Sequence, residues 1–197
     1  MILKHLKQAT SARHAALEGR LPLLDPALSR ADYRSLLSRF LGYYAPLEER
    51  LLALPHWNDL DFNYAQRTKA PCLARDLIAL GTTPDELARV ARCPHMPPVT
   101  SVARLLGCLY VIEGATLGGQ IITRRLHASL RLTPASGAAF FNGYGVHTGE
   151  RWKAFCAMAT TVAQRTGRDE DILASANLTF DTLDQWLFPA SATAGPT

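Results

Sequence analysis

Cysteine is scarce and unpatterned: four residues, Cys72, Cys93, Cys108 and Cys156, occur in 197, with no CxxC pair. That spacing excludes a zinc ribbon and gives no disulfide framework, so free thiols and a cytoplasmic setting are expected. Runs of one charge are also missing. The formal net charge is only +4 and no dense Lys/Arg cluster appears, so nucleic acid is not an expected partner. No segment reaches the ~20 uncharged apolar residues of a membrane span, and no membrane partner is expected. "MILKHLKQATSARH" lacks the unbroken apolar core of a signal sequence. No stretch alternates with a two-residue period, which argues against strands.

What remains reads as helix. Ile2, Leu3, Leu6, Leu17 and Leu21 fall largely on one stripe of a helix over 2–21. Ser29 or Asp32 can cap the next helix, in which Pro46 should introduce a kink without ending it, because the pattern resumes at Leu47. Gly81 should stop "APCLARDLIAL", and "TTPDELARVAR" carries a threonine cap with proline in its first turn. A long helix is expected over 100–131, a short one after Thr133-Pro134, and two more over about 148–166 and 169–188. The fold class is therefore all-α, a single multi-helical domain over 1–188 with a flexible tail over 189–197.

The long stretch holds an anomaly. "YVIEGATLGGQII" (110–122) places Gly114, Gly118 and Gly119 inside an apolar helix, each costing about 1 kcal/mol relative to alanine. Gly107, Gly114 and Gly118 share one face, and Gly119 widens the strip. A bare face admits either a neighbouring helix or a flat ligand.

On the first helix, i+4 and i+3 steps run from Leu6 through Thr10 and His14 to Leu17, and Glu18 lies one turn beyond His14. A carboxylate that accepts from imidazole Nδ1–H would orient the ring for metal binding through Nε2. A half-buried histidine satisfied by its helical neighbour is the plainer reading. No acid precedes a histidine by three positions, which excludes the di-iron bundle pattern. No His/Cys cluster suits zinc. A lone axial histidine suits heme, whose porphyrin supplies the other four ligands. His5, His56, His95, His127 and His147 are background, Tyr43 and Tyr44 core or pocket lining, and Trp152 and Trp186 packing anchors.

"KQATSARHAALE" (7–18) and "EGATLGGQ" (113–120) together resemble the two heme-contacting helices of heme oxygenases, and the "EGxTLGG" wording resembles the bacterial branch. The resemblance implies an all-α heme-oxygenase-like bundle that opens heme with O2 and reducing equivalents to biliverdin, Fe2+ and CO. By position it makes His14 the iron ligand and Glu18 its partner, and it puts Lys7 near a propionate. Thr10 belongs to the first motif. Gly114, Ala115, Gly118 and Gly119, with Tyr110 and Val111 before them, form the opposite wall. Arg151 is a further propionate cation and Asn177 a pocket neighbour. Many family members carry aspartate where this chain has Ala115, which puts the proton route in question. Heme is then cofactor and substrate, and electrons come from a ferredoxin-type or flavoprotein reductase, since no nucleotide fingerprint appears. A bilin-using photoreceptor is a candidate consumer. Two alternatives stand beside this: a heme carrier or sensor without ring cleavage, and a thiamin-degrading enzyme of similar fold using Cys108.

Overall fold

The computed structural model describes residues 1–55, 57, 60 and 62–189. His56 and the tail beyond Pro189 lie outside it. The helices, in chain order, are α1 Ile2–Arg20, α2 Arg30–Leu52, α3 Ala70–Ala79, α4 Pro84–Ala88 and α5 Val102–Gly114. They continue with α6 Gly119–Leu130, α7 Ala139–Asn142, α8 Thr148–Thr166 and α9 Asp169–Leu187. Among the described residues there is no strand.

The local signals account for most boundaries. Ser29 caps α2 by accepting from the Asp32 amide, and Thr83 and Glu86 close a reciprocal capping box on α4. Gly81 takes φ +90° just beyond α3, a conformation that costs a residue without Cβ little. Pro46 leaves α2 continuous. Lacking an N–H, it leaves the Gly42 carbonyl without its helical donor, and the Cys93 amide bonds there at 2.8 Å. Gly42 itself admits the close approach of this segment: a Cβ would sit 2.2 Å from the Ala91 carbonyl oxygen.

The single helix expected over 100–131 is two. Between α5 and α6 the i−4 ladder lapses, and Thr116, Leu117 and Gly119 donate instead to carbonyls three residues back. The stretch Val102–Leu130 is long and apolar enough by composition to cross a membrane, yet half of its apolar window is buried in the fold. Leu105, Leu106, Cys108, Leu109 and Ile112 are among the buried residues of this stretch.

α9 is the spine, packed against α5 and α1 and touching α2. The α5–α9 contact is intimate because Gly107 lacks a side chain: a Cβ there would lie 2.2 Å from the Ile172 carbonyl oxygen. Ser175 seals the pair by donating to the Arg104 carbonyl at 2.6 Å. Gly107→Ala is therefore expected to cost about 1–3 kcal/mol through overpacking. Gly149→Ala on α8, where a Cβ meets nothing within 4 Å, should be neutral or stabilising by up to about 1 kcal/mol. Urea denaturation of the two variants against the parent measures both.

Candidate functional site

A cavity of about 700 Å³ opens between α1 and the α5–α6 break. The α1 wall is a helical stripe, Lys7, Thr10, Ser11, His14, Leu17 and Glu18, spaced as one helix face requires. The facing wall runs from Tyr110 to Gly118. Phe40 and Tyr44 of α2, Phe140 and Phe141 of α7, Trp152 of α8, and Phe180 and Leu183 of α9 complete it. The lining is predominantly apolar with a few polar groups, the usual make-up of a small-molecule site.

His14 stands at the mouth with about half its side chain exposed, its ring edge against Phe180 with centroids 5.8 Å apart. Glu18 Oε1 lies 3.5 Å from the ring. The nearer nitrogen is Nε2, the reverse of the arrangement expected from the sequence. A half-turn about χ2, a broadly two-fold torsion, exchanges the two nitrogens. No group of three or more metal-ligating side chains exists among the described residues. A metal here would rest on one protein ligand, which suits an ion that brings its own macrocycle.

The glycine strip serves two purposes. Gly114 and Gly118 line the cavity: a Cβ on Gly114 meets only the Trp152 ring at 3.7 Å, and one on Gly118 meets nothing within 4 Å. Gly107 and Gly119 do not line it. Gly107 admits α9, and Gly119 admits the Phe141 carbonyl oxygen 1.9 Å from an ideal Cβ. Of the other residues expected at the site, Lys7, Thr10, Tyr110, Val111 and Ala115 do line it. Arg151 does not: its guanidinium lies over the Tyr144 ring at 5.0 Å and donates to the Gln66 carbonyl. Asn177 does not either, because its position on α9 brings it to Arg13 of α1, while Phe180 and Leu183 take the cavity side. Cys108 is fully buried away from the cavity and burial pushes its thiol up to about 12, so it is not a poised nucleophile.

Sequence reading missed the polar cluster behind the wall. Glu113, 1% exposed, accepts from Arg67 Nη1 at 2.7 Å, from Tyr144 Oη at 2.8 Å and from Lys69 Nζ at very short range. Lys69 spends its other two protons on the Arg67 carbonyl at 2.7 Å and the Tyr144 hydroxyl at 2.9 Å. Burial holds the Lys69 ammonium below the usual lysine range, against the opposing pull of Glu113. Glu48 of α2 accepts the Lys69 and Ala70 amides at 2.6 and 2.9 Å, capping α3 from a distance, and also the Tyr64 hydroxyl. The clearest signal in the sequence was Glu113, the single charge in the otherwise apolar and small-residue run 105–119.

Comparison with known proteins gives the following. A family model described as heme oxygenase matches residues 1–188. Over 150 residues the chain is 32% identical to a heme oxygenase of Xanthomonas campestris pv. campestris (strain 8004), covering 75% of this chain and 84% of that protein. A match of 115 residues, 56% of the chain, is 45% identical to an ATP-dependent helicase Lhr-Core of Methanothermobacter thermautotrophicus. There the chain spans only 13% of the relative's length. A solved structure of heme oxygenase from Leptospira interrogans shares the fold, with TM-score 0.74, 19% identity and coverage of 94% of this chain and 98% of that one.

Removing the Glu113 charge strands two buried cations. Glu113→Gln is expected to cost about 3–5 kcal/mol in urea denaturation at neutral pH, whereas Glu150→Gln, on the exposed start of α8, should leave the midpoint unchanged.

Proposed function

The chain belongs to the heme oxygenase family, and from that premise we propose that its cavity binds heme and opens the macrocycle to biliverdin, Fe2+ and CO. The observation that supports this reading best is that one apolar cavity is lined both by a lone histidine and by a wall of glycines without side-chain cover. Bound heme supplies redox-active iron and is itself the substrate; the protein contributes placement and electrostatics.

In this reading His14 holds the iron as a neutral imidazole, with none of the electron push of a thiolate, and Glu18 fixes its ring. Lys7 lies at the same mouth, within the α1 stripe, as the cation for a propionate. Phe40, Phe140, Phe141, Phe180 and Leu183 keep bulk water from the ring. Gly114, Ala115 and Gly118 let backbone reach the opposite face, and Thr10, Tyr110 and Val111 close the side toward Trp152. Gly119 acts indirectly, by letting α7 seat its phenylalanines, and Arg151 and Asn177 act through their neighbours Tyr144 and Arg13. Electrons come from a ferredoxin-type or flavoprotein reductase, an acidic partner suited to a chain of net charge +4. The cell interior, where such donors and free thiols coexist, is the proposed location, and the bilin product would suit a photoreceptor that uses it.

Ala115 offers no acid, and that specific feature favours a second reading, a heme carrier or sensor. Hemin titration separates them. The parent should give a histidine-type Soret band that His14→Ala weakens or shifts, followed by a biliverdin spectrum with O2 and a competent reductant. Heme that survives that treatment would identify the carrier. Because the space at Gly118 is open, Gly118→Leu should fold as the parent does yet lose most heme uptake; undiminished uptake would show that the glycine wall is not at the heme.

A further inference from the structure

The half of α1 that bears His14 is thinly anchored. From Ser11 to Arg20 the one buried residue is Leu17. Ser11, His14 and Glu18 are exposed and line the cavity instead of the core. Helical turns that bury so little apolar surface open locally at small cost.

What fastens this half is polar and lies on α9. Arg13 donates from Nε to Asp181 at 2.7 Å and from Nη1 to the Asn177 amide oxygen at 3.3 Å. Two turns on, Arg20 donates to Asp184 at 2.5 Å and to the Phe188 carbonyl at 3.2 Å, and its guanidinium lies 4.4 Å from the centre of the Phe188 ring. The arginines are seven residues apart, and Asn177, Asp181, Asp184 and Phe188 follow at steps of four, three and four, so each set shares one helix face.

The two arginines bracket His14. Arg13 immediately precedes it, and Asp181 immediately follows Phe180, whose ring meets the imidazole at 83° with centroids 5.8 Å apart. The Arg13–Asp181 bond therefore joins the two helices at the rung where the rings touch. Glu18, 3.5 Å from the imidazole, belongs to the same helix and moves with it. It can turn the ring but cannot hold the helix in place.

We propose that Arg13, together with Arg20, is a positioning residue: the two clamp the His14 half of α1 onto Asp181 and Asp184 and so fix where the imidazole stands against Phe180. Its consequence at the iron rests on the heme reading above; the clamp itself belongs to the ligand-free chain. Ion pairs as exposed as these add little to global stability and are screened by salt. Their effect is local, because Leu17 is the only core contact in these turns.

Hydrogen exchange of the α1 amides in the ligand-free protein tests the clamp. Arginine and glutamine have similar helix propensity, so Arg13→Gln with Arg20→Gln should leave the melting temperature nearly unchanged. Exchange over residues 14–20 should nevertheless quicken about two- to fivefold per lost pair, and added salt should quicken it in the parent but not in the double variant. Arg13→Asp alone should remove protection, and Arg13→Asp with Asp181→Arg should restore it. With heme bound, Arg13→Asp should release heme several-fold faster to an excess of scavenger and shift the iron–histidine stretching band of the ferrous protein, both reversed by the charge swap. Unchanged exchange in the double variant, or a swap that rescues nothing, overturns the clamp. Exchange that quickens while the heme release rate and the stretching band stay put overturns the positioning role alone. A parent that takes up no heme overturns the heme reading and the positioning role with it, while the exchange rates still decide the clamp.

Discussion

The buried carboxylate of Glu113 is the fixed point from which the rest of the site takes its shape. It is the penultimate residue of α5 and gathers Arg67 and Lys69 from one distant segment and Tyr144 from another. Desolvating these charges is expensive, and in a low-dielectric interior the expense is recovered only when every donor finds an acceptor. Here each Lys69 proton has an acceptor and each Glu113 oxygen has donors. The result is a rigid anchor immediately before the turn where the helical ladder lapses, so the Gly114–Gly118 wall is held in place although its own sequence favours disorder of the helix.

A second acid repeats the logic. Glu48 closes the N-terminus of α3 from α2, and Asp76 in turn closes the N-terminus of α7 by accepting the Ala139 and Phe140 amides at 2.8 and 2.7 Å. Anions at helix N-termini meet both the orphan amides and the positive end of the dipole. Each cap therefore locks one helix to another, and the last link seats Phe140 and Phe141 in the cavity wall. Polar anchoring and apolar lining are two sides of one arrangement: charges behind the wall are paired off, which leaves a predominantly apolar cavity face with a single imidazole on it.

Much of the fold was legible because its signals are local. The Ser29 and Thr83 caps, the stop at Gly81, the continuity of α2 through Pro46 and the limits of α8 and α9 depend on residues within a turn or two of each boundary. The α1 stripe from Lys7 to Glu18 was equally readable, since helical periodicity fixes which side chains share a face. What is not legible locally has one cause. Gly107, Gly114, Gly118 and Gly119 look alike in sequence, yet what each admits is decided by distant chain: Ile172 for one, Phe141 for another, open cavity for the remaining pair. Where Asn177 and Arg151 lie depends likewise on partners, Arg13 and Tyr144, far away along the chain.

Most of the helices, the stripe that bears His14, the weak point in the glycine-rich segment and, through paired motifs, the family are legible in the chain before it folds. These follow from near-neighbour sterics and hydrogen bonding, which a chain carries wherever it goes. Which glycines face the cavity, and how the buried charges of Glu48, Arg67, Lys69 and Glu113 are paired, emerge only in the folded chain. Those outcomes depend on desolvation and packing between segments dozens of residues apart, and such terms come into being only once the chain has closed on itself.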